Sequence, residues 1–236
     1  MSCTKKGYKS VFGNPQRTSF VYLDKLEQKY KRSFSVLVPD AVDGLHVLLF
    51  ARRGHKVTCY ETNKTYLEGG IVDGINCVGL KKRLLYESLL SNVIIKSENL
   101  YNNLIDKKFD FVYSYRSLHL EENKNIPMSR KIRKLQTAVK ENGFIYIFYH
   151  LAEDEKDYKK YPKESYLRFG EMKAFFDKES WEVINIIERD KATEHVPHPF
   201  HNYEHKHKVG YIFAYKKSSR LKYRLNFNIS IADYIS

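Results

Sequence analysis

Ser33–Glu61, SFSVLVPDAVDGLHVLLFARRGHKVTCYE, reads as strand, turn, helix and second strand ending in an acid. Ser33 to Val38 is apolar and β-prone, which predicts the first strand of a sheet. The residues suited to a sharp turn are gathered between Asp40 and Gly44. Leu45 to Arg53 fits a short helix that buries Leu48, Leu49 and Ala51, with Gly54 suited to its C-terminal cap. Val57 to Tyr60 is then the second strand, and Glu61 ends it. Strand, helix and parallel strand open an α/β sheet, in which ligands lie outside the carboxyl ends of the strands, against the first strand-to-helix turn. An acid ending strand two is placed there to take ribose hydroxyls, and Glu61 is that acid by position.

The rest of the chain repeats the unit. Ser19 to Lys31 predicts a helix with Phe20, Leu23, Leu26 and Tyr30 on one side, a cover for the sheet or a roof for its ligand. Tyr66 to Gly79, YLEGGIVDGINCVG, is longer than an ordinary strand-to-helix loop and reads either as a wall of the site or as a small surface hairpin. A helix over about Leu80 to Leu90 and strands at Val93 to Lys96 and Phe109 to Ser114 come next. Met128, Ile132, Leu135 and Val139 keep helical spacing after Pro127, with Gly143 expected to stop that helix before a strand at Phe144 to His150. Tyr166, Phe169, Met172 and Phe176 predict one more helix. Trp181 to Ile187 and Val209 to Tyr215 read as the last two strands.

At 236 residues the chain suits one α/β domain with a full core. No stretch approaches the roughly 18 apolar residues of a membrane span, and MSCTKKGYKS at the N-terminus lacks the apolar core of a signal peptide. A cytoplasmic location is the expectation, with no membrane partner. Cys3, Cys59 and Cys77 are odd in number and lack metal-ligand spacing, so they are expected to be reduced thiols, Cys59 buried in strand two. The formal charge of +13 leaves a nucleic-acid partner open. The basic runs at Lys29 to Arg32, Arg130 to Lys134 and Lys216 to Arg224 fit solvated faces and a terminal tail as well as a binding stripe.

Ser33–Glu61 resembles, without a gap, the opening of the class I S-adenosylmethionine methyltransferases. GHKVTCYE is similar to their strand-two region, and Gly44 falls on the last glycine of their Asp-x-Gly-x-Gly-x-Gly loop. In Val38-Pro39-Asp40-Ala41-Val42-Asp43-Gly44 the usual acid is Val38, and the first two glycines are Asp40 and Val42. Glycine at those positions permits positive φ and close backbone approach to the ligand; thiopurine-type enzymes carry a similar Val-Pro lead into the loop. Asp110-Phe111-Val112 with Ser114, Leu118 and His119 resembles the fourth motif of the small-molecule branch. The absence of an Asn-Pro-Pro-Tyr or Asp-Pro-Pro-Tyr tetrapeptide counts against the amino-directed DNA enzymes.

The resemblance implies a Rossmann-like seven-stranded α/β fold, a mostly parallel sheet with an antiparallel last strand and helices on both faces. It also implies an enzyme that moves a methyl group from S-adenosylmethionine to a small molecule. Pro39, Asp40, Ala41, Asp43 and Gly44 would line the cofactor's methionine end, Glu61 its ribose, Glu98 and Asn99 its adenine, with Ser114 beside them. His119 and His150, ending strands four and five at one edge, are candidate bases. Tyr115 and Arg116 suit a substrate carboxylate or phosphate.

Before the last strand lie His195, His198, His201, His205 and His207, five histidines within thirteen residues. Tellurite-resistance-type methyltransferases carry a similar pattern, which implies a substrate lid built on His195, His198, His205 and His207. A plain surface loop and a metal site are the other readings. The organisation expected is a helical cover over residues 1–32, the methyltransferase-like domain over 33–217 and a basic tail over 218–236. A fold kept as a non-catalytic binding or regulatory module, and a nucleic-acid methyltransferase, are the rival functions.

Overall fold

The computed structural model describes residues 10–12, 17–72, 74–152, 166–189, 193–195 and 205–218. The chain runs α1 (Arg17–Tyr30), β1 (Ser35–Val38), α2 (Leu45–Arg52), β2 (Lys56–Tyr60), α3 (Lys64–Glu68), the hairpin β3 (Gly70–Val72) and β4 (Ile75–Cys77), and α4 (Leu80–Tyr86). It continues through β5 (Val93–Lys96), β6 (Phe109–Tyr115), α5 (Met128–Ala138), β7 (Val139–Leu151), β8 (Trp181–Glu188), β9 (Thr193–His195) and β10 (His205–Lys216).

The main sheet has the order β5-β2-β1-β6-β7-β10-β8, with β9 paired to β10. Neighbours from β5 to β7 pair in parallel, and β10 runs antiparallel to both β7 and β8. This is the predicted mostly parallel sheet. Its order reverses at β1, which sits between β2 and β6, so the switch point at which sheets of this kind bind ligands lies at the carboxyl end of β1 beside the first turn.

Strand alternation sorts the two faces. Phe111 and Tyr113 on β6, Phe144, Tyr146 and Phe148 on β7, and Tyr211, Phe213 and Tyr215 on β10 form one face with Tyr22, Leu23 and Leu26 of α1 and Val47, Leu48 and Phe50 of α2. Tyr22 stacks on Phe213 with ring centroids 4.3 Å apart. The opposite face carries Val112, Ile145, Ile147 and Ile212 against Met128, Ile132 and Leu135 of α5. α1 therefore covers the aromatic face; its buried stripe is Val21, Tyr22, Leu23 and Leu26.

Three local expectations change, and one open alternative is decided. The helix α5 ends at Ala138 rather than at Gly143, because Val139 is already extended and pairs with Phe109. Gly143 lies in the bulge that follows, where an added Cβ would stand 2.9 Å from the Lys140 carbonyl and 3.0 Å from that of Asp110. Between Tyr166 and Phe176 only Glu171–Ala174 is helical, since Leu167 instead bridges Leu151 and leaves Phe169 exposed. The helix expected to reach Leu90 stops at Tyr86. Residues 66–79 contain the surface hairpin β3–β4, whose Ile71 and Ile75 are exposed.

Candidate functional site

The first turn keeps the backbone path that glycines would give it. Asp40, Val42 and Gly44 have φ of 49°, 45° and 91°. These are the three positions at which the resemblance places glycine. A left-handed conformation is uncommon for any residue with a Cβ, and for a β-branched valine it is an outlier. Gly44 meets a second demand, since an added Cβ would lie 2.5 Å from Leu80 Cδ1 and 2.7 Å from Leu48 Cδ1.

What holds the valine is the acid ending β2. Glu61 is buried, and its Oε2 accepts the Val42 amide at 2.7 Å while Oε1 accepts the Asn63 amide at 2.7 Å. Burial pushes its carboxyl up to about 7, against the pull of the Asn63 amide, and the charge of Glu122 pushes the same way. Asp40 is buried beside it and is raised well above its ordinary value, first by burial and then by Glu61 and Glu122. Ala41 is buried too, its amide donating to the Tyr60 carbonyl at 2.7 Å. Asp43 faces another way: it accepts Ser10 Oγ at 2.7 Å and the Val11 amide at 2.8 Å, and lies 3.2 Å from Arg83 Nη1.

Asn99 sits after β5 and is spoken for on both ends of its amide. Its oxygen accepts the Tyr101 amide at 2.8 Å and its nitrogen donates to Asn123 Oδ1 at 2.8 Å. Asn123 in turn donates to Asp40 Oδ2 at 3.0 Å and to the Ser117 carbonyl at 2.9 Å. Ser114 Oγ and Ser117 Oγ are 2.8 Å apart, and the Tyr101 hydroxyl meets Ser117 at 2.5 Å. Lys131, wholly buried, donates to the Leu118 and Asn123 carbonyls, and its charge favours ionised Asp40. Glu98 is more exposed, 3.9 Å from Lys96.

A second cluster forms at the carboxyl ends of β6 and β7. The His119 and His150 rings stack with centroids 3.6 Å apart, His150 lies 5.8 Å from Tyr166, and Tyr115 stacks on Phe148 at 4.6 Å. Arg116 lies over Tyr115 at 5.5 Å and holds φ of 66°, a strained value for a residue with a Cβ. The four residues proposed for the acceptor end are thus brought together. A fifth group joins them, the buried His46 of α2, whose ring centroid is 4.4 Å from that of Tyr115 and 5.0 Å from that of Tyr113.

Solved structures show what this fold is similar to. TehB from Haemophilus influenzae superposes with a TM-score of 0.59 at 17% identity over 84% of this chain, which spans 63% of that one. The 1,6-didemethyltoxoflavin-N1-methyltransferase of Burkholderia thailandensis, solved with bound 1,6-didemethyltoxoflavin and S-adenosylhomocysteine, gives 0.50 at 13% identity, covering 83% of this chain and 76% of that one. A SAM-dependent methyltransferase of Methanosarcina mazei gives 0.53 at 14% identity, covering 81% and 96%. The chain has the class I methyltransferase fold. No family model and no curated protein matches it in sequence.

Within the methyltransferase fold the residues present fit the cofactor on two counts. The loop retains the three left-handed positions that let backbone approach a ligand, and the buried carboxyls of Asp40 and Glu61 are held above their ordinary values, so that a cationic ligand beside them would favour their ionisation. The histidine segment is described only in part. β9 pairs with β10 so that His195 opposes His205 and Thr193 opposes His207, while His198 lies outside the described residues. Among the described residues no group of three or more His, Cys, Asp or Glu is placed to hold a metal, and no helix is long and apolar enough to cross a membrane. Cys59 and Cys77 are free and buried.

His46, Asn123, Lys131 and Arg83 touch the candidate residues and were missed by sequence reasoning. Lys131 carried a signal, lying three residues after Met128 on the apolar stripe of α5. The others had none, since what buries them comes from distant segments.

Proposed function

We propose that this chain transfers a methyl group from S-adenosylmethionine to a small-molecule acceptor. The observation that carries the proposal is the set of positive φ values at Asp40, Val42 and Gly44, kept at Asp40 and Val42 without the glycines that normally allow them. Strain of that kind costs on the order of 1–3 kcal/mol per residue and persists where function needs the geometry. The cofactor's methionine end would lie along Pro39–Gly44, its ribose at Glu61 and its adenine beside Glu98 and Asn99. The bound cofactor supplies an electrophilic methyl on a sulfonium. Tyr115, Arg116, His119 and His150 would hold the acceptor in line, with a neutral histidine able to take the proton that the acceptor gives up.

Support for a small acceptor comes from the toxoflavin enzyme, whose structure holds such a molecule with S-adenosylhomocysteine. The reading also takes the chain to be cytoplasmic, in keeping with its free thiols. A second reading, a binder without catalysis, draws on Glu61, both of whose oxygens already accept backbone amides. Isothermal titration with S-adenosylhomocysteine followed by transfer of labelled methyl to a panel of small acceptors tests the proposal. Binding with transfer upholds it, binding without transfer favours the second reading, and no binding rejects both.

A further inference from the structure

His46 is the second residue of α2 and 5% exposed, yet neither ring nitrogen has a hydrogen-bond partner among the described residues. A buried polar group left unpaired costs about 1–3 kcal/mol, and a leucine or phenylalanine would fill the space without that cost. The Tyr146 hydroxyl is buried and unpartnered in the same way. Tyr146 stacks on Tyr113 at 5.0 Å with the rings within 8° of parallel, and Tyr113 and Tyr115 flank the imidazole. Two polar groups are therefore left over along one wall of aromatic faces.

The location gives them a use. His46 stands two residues beyond Gly44, where the cofactor loop ends, and against Tyr115 and Arg116, where the His119–His150 cluster begins. It lies between the two halves of the site. Burial, with the Arg116 charge second, lowers its pKa to about 3, so the ring is neutral and offers one acceptor nitrogen. The same charge disfavours a cationic guest.

We propose that His46 orients the acceptor, and that the acceptor is a planar aromatic molecule, uncharged or anionic, whose O–H or N–H donates to the His46 imidazole while its ring lies against the partly exposed Tyr115. The inference deepens the methyltransferase reading and rests on it for the reaction, though not for the binding. It gives the tyrosine-rich sheet face a reason to extend to the carboxyl edge, beyond what packing requires.

The test uses the full chain loaded with S-adenosylhomocysteine and two pairs of probes, 4-cyanophenol with 4-methoxybenzonitrile and 5-cyanoindole with its N-methyl derivative. Within each pair a methyl group replaces the donor hydrogen. At least one donor-bearing probe should bind tenfold or more tighter than its methylated partner, and His46→Phe should reduce that preference to within twofold while S-adenosylhomocysteine affinity stays within twofold. Removing the unpaired nitrogens should also raise the thermal midpoint of His46→Phe. His46→Leu serves if the phenylalanine is too large to fold. Equal binding of both members of both pairs by the wild type overturns the inference without any variant, as does a preference that survives both substitutions. Loss of S-adenosylhomocysteine binding with the donor preference intact would reject the methyltransferase reading and leave this site standing.

Discussion

Val42 concentrates the tension of the site in one residue. Its φ of 45° is costly for a β-branched side chain, and its amide is tied to Glu61 at 2.7 Å. Glycine would relieve about 1–3 kcal/mol of strain and give back about 0.5–1 kcal/mol in unfolded-chain entropy. Val42→Gly should thus raise stability by about 1 kcal/mol in denaturant melts and leave S-adenosylhomocysteine affinity unchanged or improved. A collapse of affinity would mean that the isopropyl group touches the ligand. Glu61 supplies the pH dependence. Its folded pKa of about 7 lies above its ordinary 4.5, raised by burial and Glu122 and opposed by the amides of Asn63, Val42 and Thr62. Its contribution to stability is full below 4.5 and lost as pH rises through about 7, and Asp40 acts in the same direction. With Glu61 in the proposed ribose role, ligand binding would need the carboxylate and run the other way: S-adenosylhomocysteine should bind more tightly at pH 8 than at pH 6. Glu61→Gln should flatten that profile and weaken binding at pH 8 by about 2 kcal/mol. A Glu61→Gln titration with the wild-type slope would show that another group sets it.

Among the elements, β1, α2 and β2 were legible because each is decided locally, by β-prone residues, a turn-forming run and a capping glycine. The stretch from Ala138 to Phe144 was misread for the converse reason. Val139 pairs with Phe109 and Phe144 with Phe111, so a partner strand, not local propensity, sets where α5 ends and where the bulge falls. Residues 166–176 misled in the same way, with the bridge from Leu167 to Leu151 overriding a helical spacing. β6 is fastened at its amino end by a residue that the motif reading assigned to the family pattern. Asp110 accepts the Ser35 amide at 2.8 Å and its hydroxyl at 2.6 Å, with Lys140 at 3.2 Å and Arg32 at 3.4 Å. Burial opposes ionisation there, but the Ser35, Arg32 and Lys140 contacts outweigh it and hold the carboxyl at about 2. That contribution is full above the ordinary 3.8 and lost as pH falls through about 2. Asp110→Asn should cost about 2 kcal/mol at neutral pH and reduce the acid dependence, read by urea melts at pH 7 and pH 3. Equal melts would make the Ser35 bridge redundant with the β1–β6 ladder.

Across the molecule, the site joins segments that local patterns cannot bring together. Gly44 and Glu61 could be found because a turn and a strand end announce them. Asn123 reaches Asp40 across 83 residues, and Asp43 holds Ser10 and Arg83 from opposite directions in the chain. Such pairings exist only once the sheet has formed. Asp43 is the strongest test of this long-range architecture, since its buried carboxylate meets the buried Arg83 guanidinium, which also donates to the Asp43 carbonyl at 2.6 Å. A buried pair contributes little net stability over an apolar replacement, whereas removing one partner strands a charge and costs about 3–5 kcal/mol. Asp43→Asn should therefore destabilise the fold by about 3 kcal/mol, part of it through the lost hold on Ser10 and Val11. Arg83→Met should cost less, because Asp43 keeps those two donors. In the double variant no charge is stranded, so its loss should fall short of the sum of the single losses by at least about 1 kcal/mol in denaturant melts. Additive losses would mean that Asp43 and Arg83 act separately, one on the N-terminal segment and the other on α4, and that no single clasp joins them across the cofactor loop.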